Sequence, residues 1–205
     1  MEWFLAALIG FAAGCIIIVF AGPKQDGENV WKWHIVSCFK RMRNILMVIF
    51  STVVFSFLYH KYGWSWAAAS YGLLVVLLGT AVIFDIQQKI IPERLILGGI
   101  LLGTGLLFVN PELTYINAIL GAIVVGGALW LVSVISKGAL GLGDAKLMGC
   151  TGLFLGMERN LSSLAIAVVL SGLVGAALLI KSTTNKRREI PFAPFILAGV
   201  LISIL

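Results

Sequence analysis

Residues 67–84 read AAASYGLLVVLLGTAVIF and end directly on Asp85. Eighteen residues without a charge match the roughly 17 to 25 that an α-helix, rising about 1.5 Å per residue, needs to cross the hydrocarbon core of a bilayer. Residues 3–21, 116–135 and 161–180 are runs of the same kind, and shorter apolar segments fall at 45–59, 95–109, 145–157 and 193–205. Charged and Pro/Gly-rich breaks separate them. The sequence therefore predicts an all-α, polytopic membrane protein of about eight transmembrane helices, the four short segments being candidates for tilted or half-buried pieces.

The rest of the composition agrees. In 205 residues, 60% are hydrophobic and only 12% charged, which excludes a water-soluble globule. Residues 3–21 follow an acidic start and lack a small-residue cleavage site, so they are expected to be a retained span rather than a signal peptide. Cys15, Cys38 and Cys150 are odd in number and scattered, which excludes a disulfide scaffold. No repeat or low-complexity tract divides the chain. A single membrane-embedded domain over 1–205 is expected, with 22–44, where Trp31, Trp33 and Phe39 mix with basic residues, as a short cytoplasmic interfacial segment.

With eight spans, thirteen of the fifteen Lys and Arg fall on one side, and only Lys61 and Arg159 on the other. Basic residues concentrate in cytoplasmic loops, so this division orients the chain with both termini outside. It also accounts for the net charge of +6 without a nucleic-acid partner.

On the basic side two carboxylates stand against the ends of spans. Asp85 closes the run 67–84 and precedes IQQKIIP, with Pro92 suited to the first turn of the next span. Asp144 sits in GLGDAK, residues 141–146, where an Asp can cap helix amides and Gly141 and Gly143 allow close approach of another backbone. Either Asp alone would be read as a helix-end residue. Two carboxyls brought together can share a proton, one accepting from water while the other donates to a carbonyl oxygen, which is aspartic protease chemistry. No rival catalytic set is visible: His34 and His60 lie on opposite expected sides, no Cys pair has metal-ligand spacing, and no Ser occupies a nucleophile elbow.

At these residues the chain resembles the type IV prepilin peptidases, polytopic aspartic proteases with a Gly-x-Gly-Asp motif. The likeness rests on Asp85 to Leu95, on Gly141 to Leu147 followed by a small-residue helix to Leu155-Gly156, and on Ile190-Pro191-Phe192-Ala193-Pro194-Phe195. The eight-span, cytoplasm-facing layout is the fourth point. The resemblance implies Asp85 and Asp144 as the catalytic pair, with Pro92, Glu93, Gly141, Gly143 and Lys146 as substrate-binding or supporting residues. It implies as substrate a prepilin-like protein whose basic leader lies in the cytosol before an apolar helix, and as location the bacterial cytoplasmic membrane, in contact with lipid.

The chain departs from the family pattern in three places. Members with two Cys-x-x-Cys pairs between the first spans hold zinc there and methylate the new amino terminus. Residues 22–44 contain only Cys38, so no cofactor and no methyltransferase activity is expected. The family pattern is weak around Gly14 to Pro23, and Glu93 stands where Asp or Asn is common. Two other functions compete. A presenilin-like intramembrane protease would hold its first Asp well inside a span, and a small transporter or scaffold would place carboxylates near mid-membrane on repeated halves.

Overall fold

The computed structural model describes residues 2–21, 42–136, 141–181 and 190–205, and helices occupy each of the apolar stretches above. The interfacial segment expected at 22–44 lies, over 22–41, outside the described residues. The helices are α1 (Glu2–Ala21), α2 (Met42–Tyr62), α3 (Trp66–Gln88), α4 (Glu93–Leu107), α5 (Tyr115–Leu120), α6 (Gly126–Ile135), α7 (Leu142–Lys181) and α8 (Ala193–Ile204). A π-helical turn, Gly121–Val125, joins α5 to α6. Among the described residues there is no strand, as an all-α reading requires. Among the described residues three stretches are long and apolar enough to cross a membrane, Trp66–Gln88, Tyr115–Ile135 and Leu142–Leu178.

The chain divides into two compact units, Met1–Ile83 and Phe84–Leu205. In the first, α1 lies along α2 with almost no space between backbones. A Cβ on Gly10 would come within 2.7 Å of the Thr52 Cα, and one on Gly14 equally close to that of Val48. Small residues at such crossings let helices gain van der Waals contact where lipid offers no hydrophobic drive. The hydroxyls of Thr52, Ser56, Ser70 and Thr80 each donate to the carbonyl four residues back, so the apolar surroundings leave none of these donors unpaired.

In the second unit α7 is the centre, packed against α4, α5, the π turn, α6 and α8. It is not one rod. In a straight helix residues 148 and 160 would stand about 18 Å apart, yet the Asn160 amide donates to the Met148 carbonyl at 3.0 Å. The reversal is made by Gly156, at φ 75 and ψ −179, a backbone region open essentially to glycine alone. The sequence reading placed a connection at 158–160. These residues are instead helical, because one glycine suffices to turn the chain and no loop is needed.

Polar side chains lock the reversal. Asn160 is fully buried, accepts from the Thr151 hydroxyl at 2.7 Å, and donates to the carbonyls of Met148 and Gly121, both at 3.0 Å. Asn117 Oδ1 accepts from the Met157 amide, one of the donors left open by the break. Gly121 and Gly152 make this possible, since a Cβ on Gly152 would fall 2.4 Å from the Ala122 nitrogen. Large apolar side chains on the outside, among them Leu101, Ile123, Leu173 and Ile180, are exposed. Lipid is the medium that suits such a surface.

Candidate active site

Asp85 lies in the last turn of α3, which runs one turn beyond the apolar segment and stops where Lys89 adopts φ 54 and donates its amide to the Asp85 carbonyl. The following residues 89–92 cross to α4, whose N-cap is Pro92, at φ −62 and ψ 130. The sequence reading put Pro92 inside the first turn. Its fixed φ serves at the position just outside, with Glu93 first in the helix.

Asp144 occupies the first turn of α7, which begins at Leu142. The expectation that it caps helix amides fails for Oδ1, which is buried with no hydrogen-bond partner among the described residues. The helix starts at Leu142 rather than at the expected residue 145, so Asp144 is carried past the capping position; its own amide donates to the Gly141 carbonyl at 3.1 Å. Both glycines of the motif have a spatial reason. A Cβ on Gly141 would lie 2.9 Å from Asp144 Oδ2, and one on Gly143 would press on Ile91 at 3.4 Å. Gly141 makes room for the carboxylate, and Gly143 lets the segment before α4 pass over the start of α7.

This packing brings together the two carboxylates, 59 residues apart in sequence. Asp85 and Asp144 lie near enough for the charge of one to act on the other. Asp85 is 7% exposed, and its Oδ2 accepts a 2.9 Å hydrogen bond from the Ala193 amide at the start of α8. Sequence reading missed that donor. The signal was present in Phe192-Ala193-Pro194: Phe192 at the N-cap has no side-chain acceptor, and Pro194 has no N–H. Ala193 is thus left with an amide that needs a partner from elsewhere.

Glu93 and Lys146, expected near the pair, form an ion pair with each other. Lys146 holds the exposed Glu93 carboxyl below the usual carboxylate range, by hydrogen bond first and by charge second. At about 100° per residue, Lys146 lies roughly 200° around α7 from Asp144. It faces a groove of about 540 Å³ between α4, the π turn and α7, lined by Ile96, Leu97, Ile100, Ile123 and Leu153, with Glu93 also on its wall. The groove and the carboxylate pair are therefore on opposite flanks of the same helix. Lys146 is tied to Glu93 and does not face Asp144. No group of three or more His, Cys, Asp or Glu able to hold a metal ion occurs among the described residues, and Cys38 lies outside them.

Asp85, buried, and Asp144, half-buried, stand at helix ends on an apolar scaffold that is helical throughout its described secondary structure, and two such carboxyls have the chemistry that an aspartic hydrolase requires. The type IV leader peptidase family matches residues 72–180, more than half of the chain, and the chain belongs to that family. It is 29% identical over 135 residues to a prepilin leader peptidase/N-methyltransferase of Bacillus subtilis, covering 65% of this chain and 54% of the relative. To the protein of the same description from Neisseria gonorrhoeae it is 28% identical over 161 residues, 75% of this chain and 54% of the relative. With that from Aeromonas hydrophila the identity is 30% over 152 residues, 70% of this chain and 50% of the relative. The chain thus spans about half the length of the curated relatives it matches. No solved structure matches it.

Proposed function

We propose that this chain is a membrane aspartic endopeptidase that removes the basic leader from type IV prepilin-like proteins, with Asp85 and Asp144 as the catalytic pair. The observation that carries the reading is the approach of Asp85 to Asp144 at adjoining helix ends, in the family whose relatives bear the name prepilin leader peptidase. One carboxylate takes a proton from water as the water attacks the scissile carbonyl. The other, protonated, donates to the carbonyl oxygen; as the tetrahedral intermediate collapses, the first passes the proton taken from water to the leaving amine and the second recovers its own from the re-forming carbonyl. Because the pair shares one proton, its two apparent pKa values belong to the pair.

The test is a pair of substitutions. Asp85→Asn and Asp144→Asn each keep shape and remove the proton chemistry; both should insert in membranes and leave a prepilin-like substrate uncut. Turnover by either variant at the wild-type rate would refute the assignment.

The membrane arrangement we propose has about eight crossings, the two arms of α7 counting separately, in one peptidase domain of the bacterial cytoplasmic membrane. Both termini lie outside and the carboxylate pair faces the cytoplasm. The thirteen-to-two division of basic residues supports this orientation. A basic leader would meet its protease on that face, and Glu93 is the carboxylate we assign to receive it. Since Glu93 is already paired, leader binding there would exchange one ammonium group, that of Lys146, for another. Pro92, Gly141 and Gly143 shape the segment and carry no charge to substrate. The same reading gives the chain neither zinc nor methyl transfer, since residues 22–44 contain only one Cys.

A further inference from the structure

We propose that the start of α8 is part of the catalytic site, the Ala193 backbone amide being the positioning group that holds the Asp85 carboxylate in its working orientation. The inference rests on Asp85 being catalytic, as proposed above. Three observations carry it. The hydrogen bond from the Ala193 amide to Asp85 Oδ2 is 2.9 Å long, buried, and spans 108 residues of sequence. Ala193 is itself fully buried, so its amide does not reach solvent. The amide is also confined: Phe192 supplies no cap, and Pro194 at the next position has no N–H to compete.

A carboxylate on the last turn of a helix has two freely rotating torsions, and a single wrong rotamer places its oxygens ångströms from a substrate carbonyl. One fixed donor at Oδ2 removes that freedom and leaves Oδ1 for the water. Nothing comparable binds Asp144 Oδ1, which has no partner among the described residues and is open to share the proton. Among the described residues the two acids are thus held differently, Asp85 Oδ2 taking a backbone amide and Asp144 Oδ1 taking none, although their side chains are chemically identical. The segment 190–195 accordingly does more than begin the last helix. Its prolines bracket the amide that meets Asp85.

The alternative is that Asp85 only caps α8 and the amide serves folding. An amide-to-ester change at Ala193, made by incorporating lactic acid into the full chain, replaces the N–H by an oxygen without altering any side chain, and weakens the Phe192 carbonyl as an acceptor. The matching change at Ile196 removes a donor that bonds the Phe192 carbonyl within α8. A hydrogen bond to a charged group is strong enough that its loss should lower kcat about ten- to a hundredfold with KM unchanged. The Ile196 ester should leave kcat within a fewfold of wild type. Equal losses for the two esters, or a rise in KM alone at Ala193, would overturn the proposal.

A second arm does not depend on cleavage. In protein labelled with ¹⁵N-alanine, the resonance missing from the Ala193 ester identifies the amide. It should move in Asp85→Asn and stay in place in Glu93→Gln. A resonance indifferent to Asp85→Asn would overturn the proposal even if the enzyme is active. If instead wild-type protein cuts no prepilin-like substrate while the resonance does move, the reading of the function fails and the contact between amide and carboxylate stands.

Discussion

Glu93 shows how a single residue changes meaning once its neighbour is known. In sequence it is an isolated acid after a proline, favourable near a helix amino terminus. In the fold it meets Lys146, 53 residues on, and its carboxyl is held below the usual range. A depressed folded value means that the pair contributes above the ordinary carboxylate range and is lost as pH falls through Glu93's lowered value. Titration of Glu93 followed by isotope-edited NMR should therefore lie below that of a free glutamate, and return upward in Lys146→Met. If the two curves coincide, the pair does not persist in solution. On substrate, Glu93→Gln should slow cleavage of a Lys-containing leader and spare a neutralised one. Equal losses for both leaders would leave Glu93 with only its place in the helix.

At the level of elements, α7 depends on one glycine and one asparagine. Gly156→Ala forces a side chain into a φ, ψ region that costs of order 1 to 3 kcal/mol. The added Cβ would also come within 2.9 Å of Leu113. Denaturant unfolding in detergent should show a loss of about that size or more, whereas Gly172→Ala, with nothing within 4 Å of its Cβ, should be near neutral. Asn160→Leu leaves the Gly121 carbonyl without its side-chain donor, while the Met148 carbonyl keeps the Thr151 hydroxyl; a buried group left unsatisfied costs about 1 to 3 kcal/mol. Because the same asparagine fixes the reversal, this variant should lose stability and cleavage together. Unchanged stability would mean that the polar lock is incidental.

At the scale of the whole molecule the question is which activities these residues carry. The matched relatives carry a second activity in their description, and this chain spans about half of them. Purified protein is expected to hold no stoichiometric zinc by elemental analysis. Product mass spectrometry should show a cleaved amino terminus without added methyl, even with a methyl donor supplied. Stoichiometric zinc, or a methyl group transferred by this chain, would contradict the reduced-enzyme reading.

The sequence by itself determined the solvent and the class of fold. Apolar runs of eighteen residues and more leave only helices as a way to satisfy the backbone in lipid, and this information is local to each run. It also set Asp85 and Asp144 at the ends of such runs, and the chemistry of paired carboxylates made them the candidates. Helix limits were less legible. Asp85 and Asp144 both proved to lie inside their helices, since a polar residue does not end a helix whose backbone bonds continue past it. Tertiary structure alone decided which atoms meet: the Ala193 amide with Asp85 across 108 residues, Asn160 with the Gly121 carbonyl across 39, and Lys146 with Glu93 across 53. Hydropathy and periodicity describe one helix at a time. Which face turns to which neighbour depends on glycine crossings, on one reversed φ at Gly156, and on the demand that every buried amide find an acceptor.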